Sequence, residues 1–279
     1  MDYRYCIAGK NDIAVNAVEY LINTLKISKN EITVVINAND NGIDSWQKSL
    51  KKFALNNNIK TSTLPEIYSI ENILFISLEF DKIIKTKLFK SERLFNIHFS
   101  NLPKYKGMFT SVLPILNGET IAGVTLHKID DGIDTGDIIK QKLFKIDAKD
   151  TARDLYFKYL KNGFSLFKNT IKNLISNDYK STQQTNINSS YYSQKSVDFN
   201  NIKIDLHKSS FEIYNQIRAF IFAEYQLPKI NGIAIKKITL TNEFIGYNKF
   251  ENFPRENKII FSGIDGFKLI AKTQKTQKT

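Results

Sequence analysis

A single cysteine, Cys6, is all that the 279 residues contain, so the chain has neither a disulfide framework nor a cysteine metal cluster. No apolar stretch approaches the length of a membrane span. The opening "MDYRYCIAG" mixes charges and is too short for a secretory leader. A soluble, cytoplasmic protein without a membrane partner is expected. The three histidines, His98, His127 and His207, show no H-x-H or H-x-x-x-H spacing, which argues against a zinc site, and no metal is expected. A Walker A loop and a G-x-S-x-G elbow are both missing. What is plentiful is positive charge: 40 Lys+Arg against 28 Asp+Glu give +12. Such an excess suits RNA, a membrane surface or a phosphorylated small substrate, but the lysines are dispersed and read as solvated faces. With 42% hydrophobic residues the chain can build a large core.

Periodicity then orders the chain. "YRYCIAG" reads as a buried strand, "DIAVNAVEYLINTL" as an amphipathic helix and "EITVVINA" as a β-rich strand. "DSWQKSLKKFALNNN" reads as a second helix capped by Asp44 or Ser45. "NILFISL" and "LFNIHFS" are further strands. Strands alternating with helices predict an α/β fold: an open, mostly parallel sheet with crossover helices, followed by a small C-terminal β-rich region. The expected division is a catalytic domain over 1–177, a polar linker over 178–200, a small domain over 201–272 and a frayed tail over 273–279. The first loop, "AGKNDIA", is not the G-x-G-x-x-G of dinucleotide binders. It still puts Lys10 and Asn11 at the carboxyl end of the first strand, where open α/β sheets take ligands.

Within "NIHFSNLPKYKGMFTSVLPILNGETIAGVTLHKIDDGIDTGDII" the polar residues are oddly placed. Asn96 and His98 are two apart in a strand, so both side chains leave one face. An amide there can donate to a developing oxyanion, and an imidazole can move a proton near neutrality. Asp134, in a turn-rich loop far along the chain, could orient that imidazole. Taken alone, each also has a bland reading: a satisfied polar residue on a strand, and an aspartate doing turn chemistry.

The stretches "FNIHFSNLPKYKG" and "ILNGETIAGVTLHKIDDGIDTGDII" resemble the core signature of the folate-dependent formyltransferases, with the N-x-H and D-T-G elements in order. "YYSQKSVDFNNIKIDLHKSSFEIYNQIRAF" is similar to the linker and C-terminal start of the tRNA and sugar branches. The resemblance implies a Rossmann-like formyltransferase fold, transfer of a formyl group from N10-formyltetrahydrofolate to a primary amine, and Asn96, His98 and Asp134 as the catalytic residues. It also implies a folate pocket lined by Ser77, Leu78, Glu79, Phe80 and Asp81 after one strand, and by Leu126, Lys128, Asp130 and Asp131 before D-T-G.

"KGMFTS" and "DSWQ" are most like the sugar N-formyltransferases. The implied acceptor is a dTDP-linked amino sugar, dTDP-4-amino-4,6-dideoxyglucose or its 3-amino isomer, formylated by a homodimer for bacterial surface polysaccharide. Candidate acceptor contacts are Lys10, Asn11, Trp46 and Gln47 near the early strands, and Tyr105, Lys106 and Met108 in the "NLPKYKGMFTS" loop. Arg218, Phe222 and Tyr225 in "RAFIFAEYQLP" complete the set, being suited to a pyrophosphate and a stacked thymine. The alternatives are a methionyl-tRNA formyltransferase and, from a different class, a non-catalytic RNA-binding module on the same core. The absence of RNA-binding aromatic motifs speaks against nucleic acid.

Overall fold

The apolar runs of the first hundred residues become strands β1 (Tyr5–Gly9), β2 (Ile32–Ile36), β4 (Leu74–Leu78) and β5 (Leu94–His98), and the polar, exposed Lys60–Thr61 adds a short edge strand, β3. All of these pair in parallel. After the short β6 (Lys106–Gly107), β7 (Ile121–Lys128) runs antiparallel to β5, and β8 (Ile138–Lys145) completes a seven-stranded sheet of order β3-β2-β1-β4-β5-β7-β8. This is the expected mostly parallel sheet. The computed structural model describes residues 4–274. These divide into two compact units, one comprising the chain up to Gly107 with Gly123–Phe144 and Lys158–Tyr191, the other Met108–Ala122, Lys145–Phe157 and the chain from Tyr192.

In the first unit, helix α1 (Asn11–Asn23) buries Ile13, Ala14, Val15, Ala17, Val18 and Leu21, the helical stripe of its sequence. Cys6, Ala8, Val35, Phe75 and Leu94 pack with Leu64 and Ile67 of α3 (Leu64–Tyr68). Burial pushes the Cys6 thiol far above its ordinary range, leaving it an inert core residue. The second helix, α2 (Leu50–Asn56), starts later than the sequence suggests, and Asp44 and Ser45 do not cap it. The cap is Ser49, whose Oγ accepts from the Lys52 N–H at 3.0 Å, while the Asp44 carboxylate accepts from the Ser49 N–H at 2.9 Å. The backbone after Asp44 is thus held in a turn by its own carboxylate. Part of the stretch expected as a linker is packed: Thr182 bridges to Ile138, and the unit ends at Tyr191 in β9 (Tyr191–Tyr192).

The second unit holds α4 (Leu113–Leu116) and α6 (Ser210–Ala219), with the first residues of the long helix α5 (Ala152–Ser176), whose remainder belongs to the first unit. Its five-stranded antiparallel sheet has the order β10-β11-β14-β13-β12. The strands are β10 (Lys229–Ile230), β11 (Ile233–Phe244), β12 (Phe250–Phe253), β13 (Lys258–Ser262) and β14 (Phe267–Thr273). Helix α6 carries a capping box, Ser209 with Glu212, and buries Ile213, Tyr214 and Ile217 against Ile235, Ile259 and Leu269. Thr273, expected in the tail, closes β14, while residues 275–279 of that tail lie outside the described residues. No helix among the described residues is long and apolar enough to cross a membrane.

Candidate active site

Parallel pairing with β4 and antiparallel pairing with β7 make β5 an interior strand. Its Asn96 and His98 share a face, and the β5–β7 register sets Asn96 opposite His127. The loop from β7 to β8 then brings the D-T-G element back. A side chain at Gly136 would put its Cβ 2.0 Å from the Lys128 carbonyl oxygen, so only glycine permits the closure. The Lys128 N–H donates to the Asp137 carbonyl at 2.9 Å. Gln184 Nε2 donates to the carbonyls of Asp134 and Gly136 at 2.9 and 2.8 Å. Asp134 itself adopts φ +55, a left-handed conformation that a non-glycine residue takes only when its surroundings hold it there.

This architecture joins four side chains. His98 has its Nε2 2.8 Å from the Tyr105 carbonyl oxygen. A carbonyl only accepts, so that nitrogen carries the hydrogen and Nδ1 faces Asp134 Oδ2, 3.4 Å away. Tyr105 turns its carbonyl this way with φ +58. The Gly107 N–H donates to the same Oδ2 at 2.8 Å. On the other carboxylate oxygen, Asn96 Nδ2 approaches Asp134 Oδ1 to 3.3 Å and His127 Nε2 stands 3.5 Å away. His127 Nε2 is also 3.1 Å from Asn96 Nδ2, and its Nδ1 is 2.6 Å from the Lys128 carbonyl. Burial alone would raise the Asp134 pKa. The His98 imidazole beside it and the Gly107 N–H outweigh it and hold the carboxyl well below the usual range. The arrangement offers an amide donor, an imidazole nitrogen and a carboxylate held ionised at neutral pH around one point, a set suited to acyl-type transfer.

Other anticipated residues are placed as follows. Ser77 and Leu78 end β4 and are buried. Gly9 lies so close to β4 that a Cβ there would be 1.9 Å from the Leu78 carbonyl. The Lys10 N–H donates to that carbonyl at 3.3 Å, Asn11 Nδ2 reaches Glu79 Oε2 at 3.3 Å, and Gln47 Oε1 accepts from the Asp12 N–H. Residues anticipated for the acceptor and for the folate therefore meet at the carboxyl ends of β1 and β4. Trp46 is half-buried. No helix starts in "SLEFDKII": Phe80 packs on Phe75, Asp81 accepts from the Ala38 N–H, and the next element is a single 3-10 turn at Thr86–Leu88.

Leu126 is buried in β7, and Lys128 lies over the Tyr179 ring. Asp130 accepts from Thr135 and from the Gly132 N–H, while Asp131 pairs with Lys87. Tyr105 and Lys106 are buried beside the catalytic candidates, their N–H groups donating to Ser190. Met108, Arg218, Phe222 and Tyr225 belong to the second unit. There Met108 and Tyr225 are exposed, while Arg218 is buried and donates to Asn215 and to the Asp150 carbonyl. Phe222 is also buried, against Tyr156. Sequence reasoning missed His127 and Gln184. His127 lies inside the quoted D-T-G stretch but was weighed there only as a metal ligand, and it is the β5–β7 register that sets it opposite Asn96.

A family model described as formyl transferase matches residues 22–171. Methionyl-tRNA formyltransferase of Alkaliphilus oremlandii is 30% identical over 244 residues, 80% of this chain and 77% of that protein. Two solved structures match almost end to end. One is WlaRD, a sugar 3N-formyl transferase crystallised in the presence of dTDP and 5-N-formyl-THF (61% identity, TM-score 0.95, 99% of this chain and 100% of that one). The other is the N-formyltransferase of Helicobacter canadensis in complex with folinic acid and dTDP-3-aminofucose (57% identity, TM-score 0.94, 98% and 100%). With its N-x-H strand, its D-T-G loop and its sheet order all in place, this chain belongs to the formyl transferase family and is a formyl-transferring enzyme.

Proposed function

We propose that the chain formylates the amine of a dTDP-linked 3-amino-3,6-dideoxyhexose, with N10-formyltetrahydrofolate as donor. The observation that carries this reading is the end-to-end likeness, at 57% identity, to an enzyme crystallised with folinic acid and dTDP-3-aminofucose. That likeness also favours the 3-amino over the 4-amino isomer. A ligand-binding face at the carboxyl ends of β1 and β2 fits the donor and acceptor chemistry. Among the described residues, the buried atoms Asn37 Oδ1 and Gln47 Nε2 have no hydrogen-bond partner there. One accepts and the other donates, as the amide-like edge of a pterin or a pyrimidine requires.

The bound folate supplies an activated one-carbon group, and the chain's own residues do the rest. Asn96 directs an amide hydrogen at the oxygen on which negative charge develops as the C–N bond to the amine forms. His98 Nδ1, left without a hydrogen by the Nε2–Tyr105 bond, takes the proton that the amine gives up. Asp134 stays ionised and steadies the imidazolium that results. When the bond to folate N10 breaks, that proton is returned to N10, so protons balance across formamide and tetrahydrofolate. The test is a mass-spectrometric assay with formyl donor and, in parallel, dTDP-3-amino and dTDP-4-amino sugars and initiator methionyl-tRNA. Turnover of the 3-amino sugar is expected; formylation of methionyl-tRNA with neither sugar consumed would overturn the reading.

A further inference from the structure

We propose that His127 is a positioning residue: it fixes which end of the Asn96 amide faces Asp134 and so sets where the amide hydrogens point. The tautomer follows from the contacts. His127 Nδ1 lies 2.6 Å from the Lys128 carbonyl oxygen, which has only lone pairs, so Nδ1 carries the hydrogen. Nε2 of the neutral ring is then bare, and it faces Asn96 Nδ2 at 3.1 Å. The ring is 98% buried, and Asp134 is the ionisable group facing Nε2, so water does not substitute for this acceptor.

Asn96 Nδ2, His127 Nε2 and Asp134 Oδ1 form a nearly equilateral triangle with sides of 3.1, 3.3 and 3.5 Å. Seen from the amide nitrogen, the two acceptors are about 66° apart, inside the spread of about 120° between the hydrogens of a planar amide. Both acceptors therefore lie on the hydrogen-bearing side of the amide, and it is the nitrogen of Asn96, not its oxygen, that faces them. Turning the amide over would set its oxygen against a bare nitrogen and a carboxylate, three acceptors with no hydrogen among them, inside a buried site. His127 thus acts through Asn96 and needs no contact with substrate.

The kinetic arm of the test rests on the formyl-transfer reading, and the spectroscopic arm does not. In wild type, long-range proton–nitrogen NMR should show His127 as the Nδ1–H tautomer; an Nε2–H tautomer or an imidazolium at neutral pH overturns the proposal. His127→Leu removes the acceptor at similar volume, whereas His127→Gln keeps an acceptor oxygen near the Nε2 position. His127→Leu should lower kcat roughly tenfold with KM unchanged, below the about 10²–10³-fold cost of deleting such a donor outright. His127→Gln should recover most of the loss. In an Asn96→Ala background His127→Leu should cost nothing further. An equal cost in both backgrounds, or a folded Gln variant that recovers nothing, means that His127 only supports the fold and sinks the idea. Should the Leu variant not fold, His127→Gln with and without Asn96→Ala and the tautomer decide. A wild-type enzyme that formylates no amine would fail the functional reading while the tautomer still judges this one.

Discussion

Each unit buries a polar cluster, and the two are built differently. In the second unit, the Ser210 N–H and Oγ–H meet Asp265 Oδ1 at 2.9 and 2.6 Å, and Ser210 Oγ in turn accepts from the Gly263 N–H at 2.9 Å. Arg218 fills the Asn215 oxygen at 2.9 Å and the Asp150 carbonyl at 2.8 Å. Donors there meet acceptors at ordinary hydrogen-bond lengths, and the result ties a helix to a sheet. In the first unit, two imidazoles each spend one nitrogen on a backbone carbonyl and turn the other towards one carboxylate, at the looser distances of 3.4 and 3.5 Å. Polar groups that are fully matched hold a fold together. Groups left slightly apart around a charge retain capacity for a reacting partner.

Mutations should separate the two clusters cleanly. His98→Ala should cut turnover by about 10²–10⁴-fold, since a positioned acid–base group is removed, with circular dichroism unchanged. Asn96→Ala should lower kcat by roughly 10²–10³-fold through loss of an oxyanion donor. Near-normal rates in either variant would remove that residue from the chemistry. Asp265→Ala should do the reverse: a stability loss of about 1–3 kcal/mol in urea unfolding, because the buried Ser210 N–H loses its acceptor, with kcat of the folded enzyme unaltered. A collapse of activity without loss of stability would erase the distinction between the clusters.

The smallest effect concerns pH. Asp134 is held below the ordinary carboxylate range when folded, so its contribution to stability is fully present above the unfolded value of about 3.9 and is lost only as pH falls through the depressed folded value. The stability difference between wild type and Asp134→Asn should therefore stay level from neutrality to about pH 4 and change only in stronger acid. A change already under way between pH 7 and 5 would show that the carboxylate is not held low.

Much of this is legible in the sequence. Alternating apolar runs in Tyr5–Gly9, Ile32–Ile36 and Leu74–Leu78 announce buried strands, because such runs have no other way to leave water. The spacing of Asn96 and His98 puts two polar side chains on one strand face whatever the neighbours are. The start of α2 was misjudged because Asp44 offers the same backbone-capping oxygen to a turn as to a helix, and only the packing of Leu50 and Ala54 chooses between them.

Local periodicity and the N-x-H and D-T-G elements determined the sheet, its crossovers and the three side chains proposed for the chemistry, since these depend on residues adjacent in the chain. Which partners those side chains meet was decided by tertiary structure. The antiparallel register placed His127 opposite Asn96, the close approach at Gly136 folded Asp134 back towards β5, and the left-handed turn at Tyr105 aimed a carbonyl at His98. Each of these is a contact between segments distant in sequence, and its energy comes from burial and hydrogen bonding that exist only once the chain has folded.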